Sequence, residues 1–223
     1  MHKEIEYIIS KSPVEYKIAV NFMEKRVDLI NNGDASELIW FLEHPHTYTA
    51  GSSAKDNELL NKGQVPVYKT ARGGRYTYHG PGQRIIYIML DLNRFEKDIR
   101  LFIKRLEEVL TLSFKGFNMD VYPHRERIGL WVNNTGQEEK IGAIGLKIKK
   151  WISLHGVAIN IDPDLSYFNG IIPCGLPDHN VTSIRKISGT VTMDQFDTEF
   201  IKNFQSKISD LKQIDYLDLN GVK

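Results

Sequence analysis

The chain has 223 residues, with 29 Lys+Arg against 28 Asp+Glu, a net charge of +1, and one cysteine. That length supports a core without staples, the charge balance demands neither nucleic acid nor an anionic membrane, and a lone cysteine excludes an intramolecular disulfide and favours a reducing compartment. No run reaches the ~18 apolar residues of a membrane span, and Met1-His2-Lys3-Glu4-Ile5-Glu6 resembles neither a signal nor a transit peptide, so a cytoplasmic protein without a membrane partner is expected.

Residues 6–9 form a short strand candidate. Ser12-Pro13-Val14-Glu15 has the pattern of a capping box with proline at the first helical position. Tyr16, Ala19, Val20, Met23, Val27 and Ile30 follow at helical spacing, and Gly33 ends that helix. Residues 37–42 form a strand running into Glu43-His44-Pro45-His46, where a solvated loop is favoured over a metal site for want of partner ligands. A short helix is expected over 57–61 and a strand over 65–68.

Next comes Arg72-Gly73-Gly74-Arg75-Tyr76-Thr77-Tyr78-His79-Gly80-Pro81-Gly82-Gln83, four of whose residues are glycine, leading into the apolar strand 84–90. Glycine lets backbone N–H groups approach a bound group and permits φ > 0. A basic, aromatic, His-bearing loop ahead of a rigid strand suits a ligand cradle, although composition alone favours a plain turn between two strands. Asp98 opens a second helix with Ile99, Phe102, Ile103, Leu106, Val109 and Leu110 as its apolar stripe, ending near Gly116. Strands are expected over 119–122, 129–132, 141–148 and 151–161, the last interrupted at His155-Gly156. Asn133-Asn134-Thr135-Gly136 is a turn, and Asp162-Pro163-Asp164 breaks the chain. Thr192 and Gln195 make a capping box for a last helix with Phe196, Phe200 and Phe204 inward. Many strands with three main helices predict one α/β (α+β) domain, a mixed sheet flanked by helices, over 1–223 with its motif-bearing core about 37–210.

Two side chains carry candidate chemistry. Cys174 lies between Pro173 and Gly175 in an apolar loop; it is either a buried inert thiol or a presented nucleophile whose thiolate needs a neighbouring cation. Lys140 is either an exposed edge lysine or that cation. Gly142, Ala143 and Gly145 follow it, and Gly156 and Ala158 follow His155, so small residues leave room for a long apolar group against the sheet.

These segments together resemble the lipoyl(octanoyl) transferases, enzymes of lipoate synthesis. The resemblance rests on Arg72-Gly73-Gly74, Thr77-Tyr78-His79-Gly80-Pro81-Gly82-Gln83, Lys140-Ile141-Gly142-Ala143-Ile144-Gly145, Leu154-His155-Gly156-Val157-Ala158, Pro173-Cys174-Gly175 and Val181-Thr182-Ser183, in family order. It spans roughly 44–184 and implies the biotin/lipoate protein ligase catalytic fold. It also implies Cys174 as acyl-thioester nucleophile and Lys140 as its partner. Arg72, Gly73, Gly74, Arg75, Tyr76, Thr77, Tyr78 and His79 would bind substrate, as would Ala143, Ile144 and Gly145, and Gly156, Val157 and Ala158. Arg75 and Lys147 depart from the commonest family pattern.

The implied activity is octanoyl transfer from octanoyl-acyl carrier protein to a lysine on lipoyl domains of 2-oxoacid dehydrogenase complexes and glycine cleavage H protein. No cofactor and no metal are implied. Two rivals stand beside it: an ATP-dependent lipoate or biotin protein ligase, and a non-catalytic binder of lipoyl domains.

Overall fold

The structure, a computed structural model, describes residues 5–63, 65–124, 126–173 and 180–219. The apolar runs form strands β1 (Ile5–Ile9), β2 (Leu38–Leu42), β3 (Thr47–Ala50), β4 (Val67–Lys69), β5 (Tyr76–His79), β6 (Gln83–Met89), β7 (Val121–Pro123), β8 (Leu130–Asn134), β9 (Gln137–Lys149), β10 (Ile152–Asn160) and β11 (Leu211–Gln213). The helices are α1 (Tyr16–Asn32), α2 (Ile99–Lys115), α3 (Ile184–Ser188) and α4 (Met193–Lys207). An eight-stranded sheet runs β11-β1-β2-β6-β10-β9-β8-β7, parallel at β11-β1-β2 and antiparallel elsewhere. A three-stranded sheet, β4-β3-β5, lies beside it.

Both faces of the large sheet are covered, which is why β2 and β6 are apolar runs buried throughout rather than alternating patterns. Ile39, Phe41, Ile86 and Ile88 pack on Phe102 and Leu106 of α2 and Phe196 and Phe200 of α4. On the opposite face Trp40, Leu42, Ile85 and Met89 meet Ala19, Phe22, Met23 and Val27 of α1. Tyr48, Tyr76 and Tyr78 make a smaller core with Phe168 and Ile171. Asp98 caps α2 through Arg100 N (2.8 Å) and Leu101 N (3.1 Å), and Thr192 with Gln195 forms the expected capping box of α4. Among the described residues no helix is long and apolar enough to cross a membrane.

Four local expectations need correction. α1 starts at Tyr16 with Glu15 as an N-cap lacking a side-chain bond, so Ser12-Pro13 is no capping box. Val14 explains this: its N–H donates to Glu43 O (2.9 Å) and its carbonyl accepts from His44 Nδ1 (2.5 Å), holding the preceding chain extended. The segment after Glu43 is not a solvated loop. His44 is fully buried, and residues 47–50 form β3, which is buried along its whole length by β5 and β4. The short helix reduces to one 3-10 turn, Asp56–Glu58, because Leu59 bridges to Ile171. β10 is continuous through His155-Gly156; His155 takes φ +61° and remains paired with Leu146.

Arg84 of β6 and Asp197 of α4 form a buried charge pair, Nε to Oδ1 3.0 Å, close but poorly aligned for a hydrogen bond. Burial pushes the Asp197 carboxyl up to about 7, with the Arg84 guanidinium pulling against it. Asp197→Leu is expected to destabilise the fold by about 3–5 kcal/mol by leaving a buried cation uncompensated. Arg84→Met/Asp197→Leu should recover most of that loss in urea unfolding. An equal loss in the single and double variants would mean that packing, not charge, governs this contact.

Candidate active site

The site begins with strand register. Ala158 of β10 faces Ala143 of β9 and Ile85 of β6, and one rung further Gly156 faces Gly145 and Tyr87. β8 pairs with β9 only as far as Gly142. Beyond it, residues 143–149 have no outer strand neighbour among the described residues. A cleft of about 950 Å³ opens there, between this edge, the segment 72–75, Ile99, Ile103 and Glu107 of α2, and Arg127 and Ile128 ahead of β8. Gly73 N donates to Leu146 O (3.3 Å), laying the Gly-rich segment across the open edge.

Arg72 fixes that segment. Its Nη2 donates to Thr49 O (2.9 Å), Thr49 Oγ1 (2.6 Å) and Arg75 O (3.0 Å), and its Nη1 to Gly73 O (2.9 Å). A glycine at 51 is required because a Cβ there would overlap Gly74 O. Strand alternation sorts the rest of the motif. Thr77 and His79 line the cleft, whereas Tyr76 and Tyr78 point into the small-sheet core. Arg75 borders the cleft and pairs with Glu58 (2.5 Å); Lys147 pairs with Glu24 (2.8 Å). Ala143, Ile144 and Gly145, with Gly156, Val157 and Ala158, all line the cleft. The small residues do not all make room for a ligand, however. A Cβ on Gly156 would overlap Ile86 O, and one on Gly142 would press on Ile159 and Leu130. The floor is therefore Ala143 and Ala158, with Gly145 lying under Arg72 Cδ, 3.3 Å from where its Cβ would stand.

Lys140 is buried rather than an exposed edge lysine. Its Nζ donates to Ile128 O (2.9 Å) and lies 5.7 Å from the Trp131 ring. Gly129, at φ +138°, admits it: a Cβ there would stand 2.5 Å from Lys140 Cε and 2.9 Å from Nζ. Lys140 N donates to Asn180 O (2.8 Å), and Thr182 N to Lys140 O (2.9 Å). Cys174 lies outside the described residues, as does Gly175. Pro173 on one side and Val181 on the other border a small recess with Lys140, Thr77 and Asn160.

A buried polar network behind the motif has no signal in sequence spacing. Gln83 Nε2 donates to Tyr78 O (3.2 Å) and Asn160 Oδ1 (2.9 Å), leaving its Oε1 to accept from His79 Nδ1 (2.7 Å). His79 Nε2 is thus the bare nitrogen, facing the Thr49 hydroxyl at 3.4 Å. Asn160 Nδ2 donates onward to Thr182 O (2.9 Å), joining His79 to the segment paired with Lys140. His44 gives its Nδ1 proton to Val14 O, so its Nε2 accepts from the Tyr87 hydroxyl (2.7 Å). Burial holds His79 well below the ordinary imidazole range, with His44 and Arg72 adding to the effect. Burial likewise lowers His44 to about 4, and burial reinforced by Arg72 lowers His155 to about 4.

The fold is that of the lipoate protein ligases. The crystal structure of lipoate-protein ligase A bound with ATP superposes with a TM-score of 0.76 at 16% identity, covering 97% of this chain and 91% of that one. The lipoyl protein ligase A/B catalytic domain model matches residues 15–205. An octanoyltransferase of Paramagnetospirillum magneticum is 46% identical over 92% of this chain and 97% of its own length. One from the Wolbachia of Brugia malayi is 48% identical over 90% and 98%. The chain belongs to the lipoyl protein ligase A/B catalytic-domain family, and within it lies among relatives named octanoyltransferase.

Three lowered histidines set a pH dependence, which the raised Asp197 carboxyl partly opposes. His79 acts in the same direction as His44 and His155, whose folded values near 4 lie below the ordinary 6.5, so between these the unfolded chain binds more protons on the histidines. Stability present above pH 6.5 is lost as pH falls towards 4, by up to about 3 kcal/mol per histidine. Urea midpoints measured from pH 7.5 to 4 should fall accordingly, and His155→Asn should flatten the slope. An unchanged slope would show that His155 does not titrate with unfolding.

Proposed function

We propose that this chain is an acyltransferase, acting as a single catalytic domain over 1–223 in the cytoplasm. It moves an octanoyl group from octanoyl-acyl carrier protein to the ε-amine of a lysine on a lipoyl domain, through a thioester on Cys174. The acceptors are lipoyl domains of 2-oxoacid dehydrogenase complexes and glycine cleavage H protein. The observation that carries the reading is Lys140: a buried ammonium, seated on Ile128 O, at the head of a slot floored by Ala143 and Ala158.

In the first step the Cys174 thiolate attacks the donor's thioester carbonyl, the bond to the carrier sulfur breaks, and the leaving carrier thiolate takes a proton from the Lys140 ammonium. One thioester replaces another, so no ATP is required. The acceptor amine then attacks the acyl-enzyme, the Cys174 thiolate leaves, and neutral Lys140 takes the amine's proton. Protonated Lys140 stabilises the thiolate between cycles. Apolar burial of the chain contributes about 0.8 kcal/mol per methylene. Arg72, Gly73, Gly74, Thr77, His79 and Arg75 wall the slot, with Tyr76 and Tyr78 acting from behind through the small-sheet core. An ATP-dependent ligase would need a phosphate cradle, and the donors of Arg72 are engaged by Thr49, Gly73 and Arg75.

Incubation with octanoyl-acyl carrier protein, followed by intact mass, should add one octanoyl group without ATP. Cys174→Ala should gain none; an adduct on that variant would overturn covalent catalysis at Cys174. Lys140→Met should move iodoacetamide alkylation of Cys174 to higher pH, each tenfold loss of thiolate corresponding to ~1.4 kcal/mol. Gly129→Ala should shift it in the same direction, because its methyl displaces the Lys140 side chain. Wild-type profiles in both variants would remove Lys140 from the mechanism.

A further inference from the structure

The wall of the cleft changes character along its length. At the Ala143–Ala158–Ile85 rung it is apolar, whereas the next rung ends at Tyr87. His155 stands beside Tyr87, and Tyr16 packs on His44, which bonds the Tyr87 hydroxyl; Tyr16 and His155 are each 3% exposed and each line the cleft. The Tyr16 hydroxyl has no hydrogen-bond partner among the described residues, Thr70 lying near it but outside hydrogen-bonding geometry. The His155 ring, 6.1 Å from that of Tyr87, makes no hydrogen bond among the described residues either. Tyr87 gives its proton to His44, so its oxygen keeps lone pairs to accept another. A polar group as buried as the Tyr16 hydroxyl is ordinarily satisfied. His155 also holds a left-handed backbone (φ +61°) inside a strand, a cost that persists where the surroundings enforce it and that concentrates at ligand sites.

Distance along β9 relates this corner to the reacting end. The Lys140 side chain runs alongside Gly142, since one Cβ built on Gly129 would meet both Lys140 Cε and Gly142 O. From Gly142 to Gly145 is about 10 Å of strand. An extended eight-carbon chain spans about 9 Å. An octanoyl carbonyl held beside Lys140 therefore leaves the far end of the chain at the Gly145–Gly156 rung, whose neighbour in β6 is Tyr87.

We propose that Tyr16, Tyr87 and His155 form a polar terminal subsite that binds a hydrogen-bonding group at the far end of the acyl chain. The site then takes eight-carbon acyl groups bearing an ω-hydroxyl as well as plain octanoyl. This rests on the acyl-transfer reading above, but its test does not depend on turnover. Octanamide and 8-hydroxyoctanamide are unreactive mimics whose Kd values calorimetry gives on the full chain. In the native protein the hydroxylated amide should bind within about threefold of octanamide, whereas a wholly apolar end would weaken it more than about tenfold by stranding the hydroxyl. Tyr16→Phe should raise the ratio of the two Kd values at least about fivefold by removing one partner. His155→Gly, which tolerates the positive φ, should raise it too. A native ratio above about tenfold, or a ratio unmoved by both variants, overturns the subsite. The expected ratios in a protein that transfers no octanoyl would support the subsite and overturn only the transferase reading.

Discussion

β10 pairs with β6 on one side and β9 on the other, and the floor of the site takes its place from those two registers. They set Ala158 between Ile85 and Ala143, and Gly156 between Tyr87 and Gly145. A slip of one residue would turn each of these to the opposite face and fill the slot with core side chains. The left-handed His155 is part of the same constraint. The pairing holds on both sides of it, so the strand continues and the imidazole joins Tyr87 at the cleft.

The Gly-rich motif is the complement of this floor. Its glycines matter where backbone is close, as at the Gly73 N–H over Leu146 O. Its polar side chains chiefly hold the loop: Arg72 ties residues 73 and 75 to Thr49, and His79 reaches Asn160 through Gln83. A rigid wall of this kind fixes the slot before a ligand arrives, which lowers the ordering cost of binding. The Asn160 link to Thr182, beside the Thr182–Lys140 backbone bond, joins that wall to the candidate general base.

Lys140 shows how backbone geometry makes chemistry available. A buried ammonium needs an acceptor, and Ile128 O supplies one. The carbonyl can approach because residue 129 has no side chain. The adjoining bonds to Asn180 and Thr182 bring the chain after 174–179 alongside Lys140, and Pro173 meets the same recess. Residues on both sides of 174–179 thus lie at the lysine.

Local patterns in the sequence determined the element types. The 3.6-residue stripes of α1 and α2, the Asp98 and Thr192 caps, and the unbroken apolar runs of β2 and β6 carry their structure in neighbouring residues. The motif series from Arg72 to Ser183 likewise marked the family and the walls of the cleft, because close backbone approach demands glycine or alanine at fixed positions. Tertiary structure alone decided the rest. Val14 starts α1 late because its backbone is bonded to residues 43 and 44, thirty positions away. His44 is buried because β3 turns onto its own small sheet, and Lys140 is buried because Gly129 leaves room for it. The Tyr16–Tyr87–His155 corner gathers residues from a helix and two strands. Such long-range pairings have no periodicity to leave in a sequence; they exist only once the sheet has fixed which distant backbones meet.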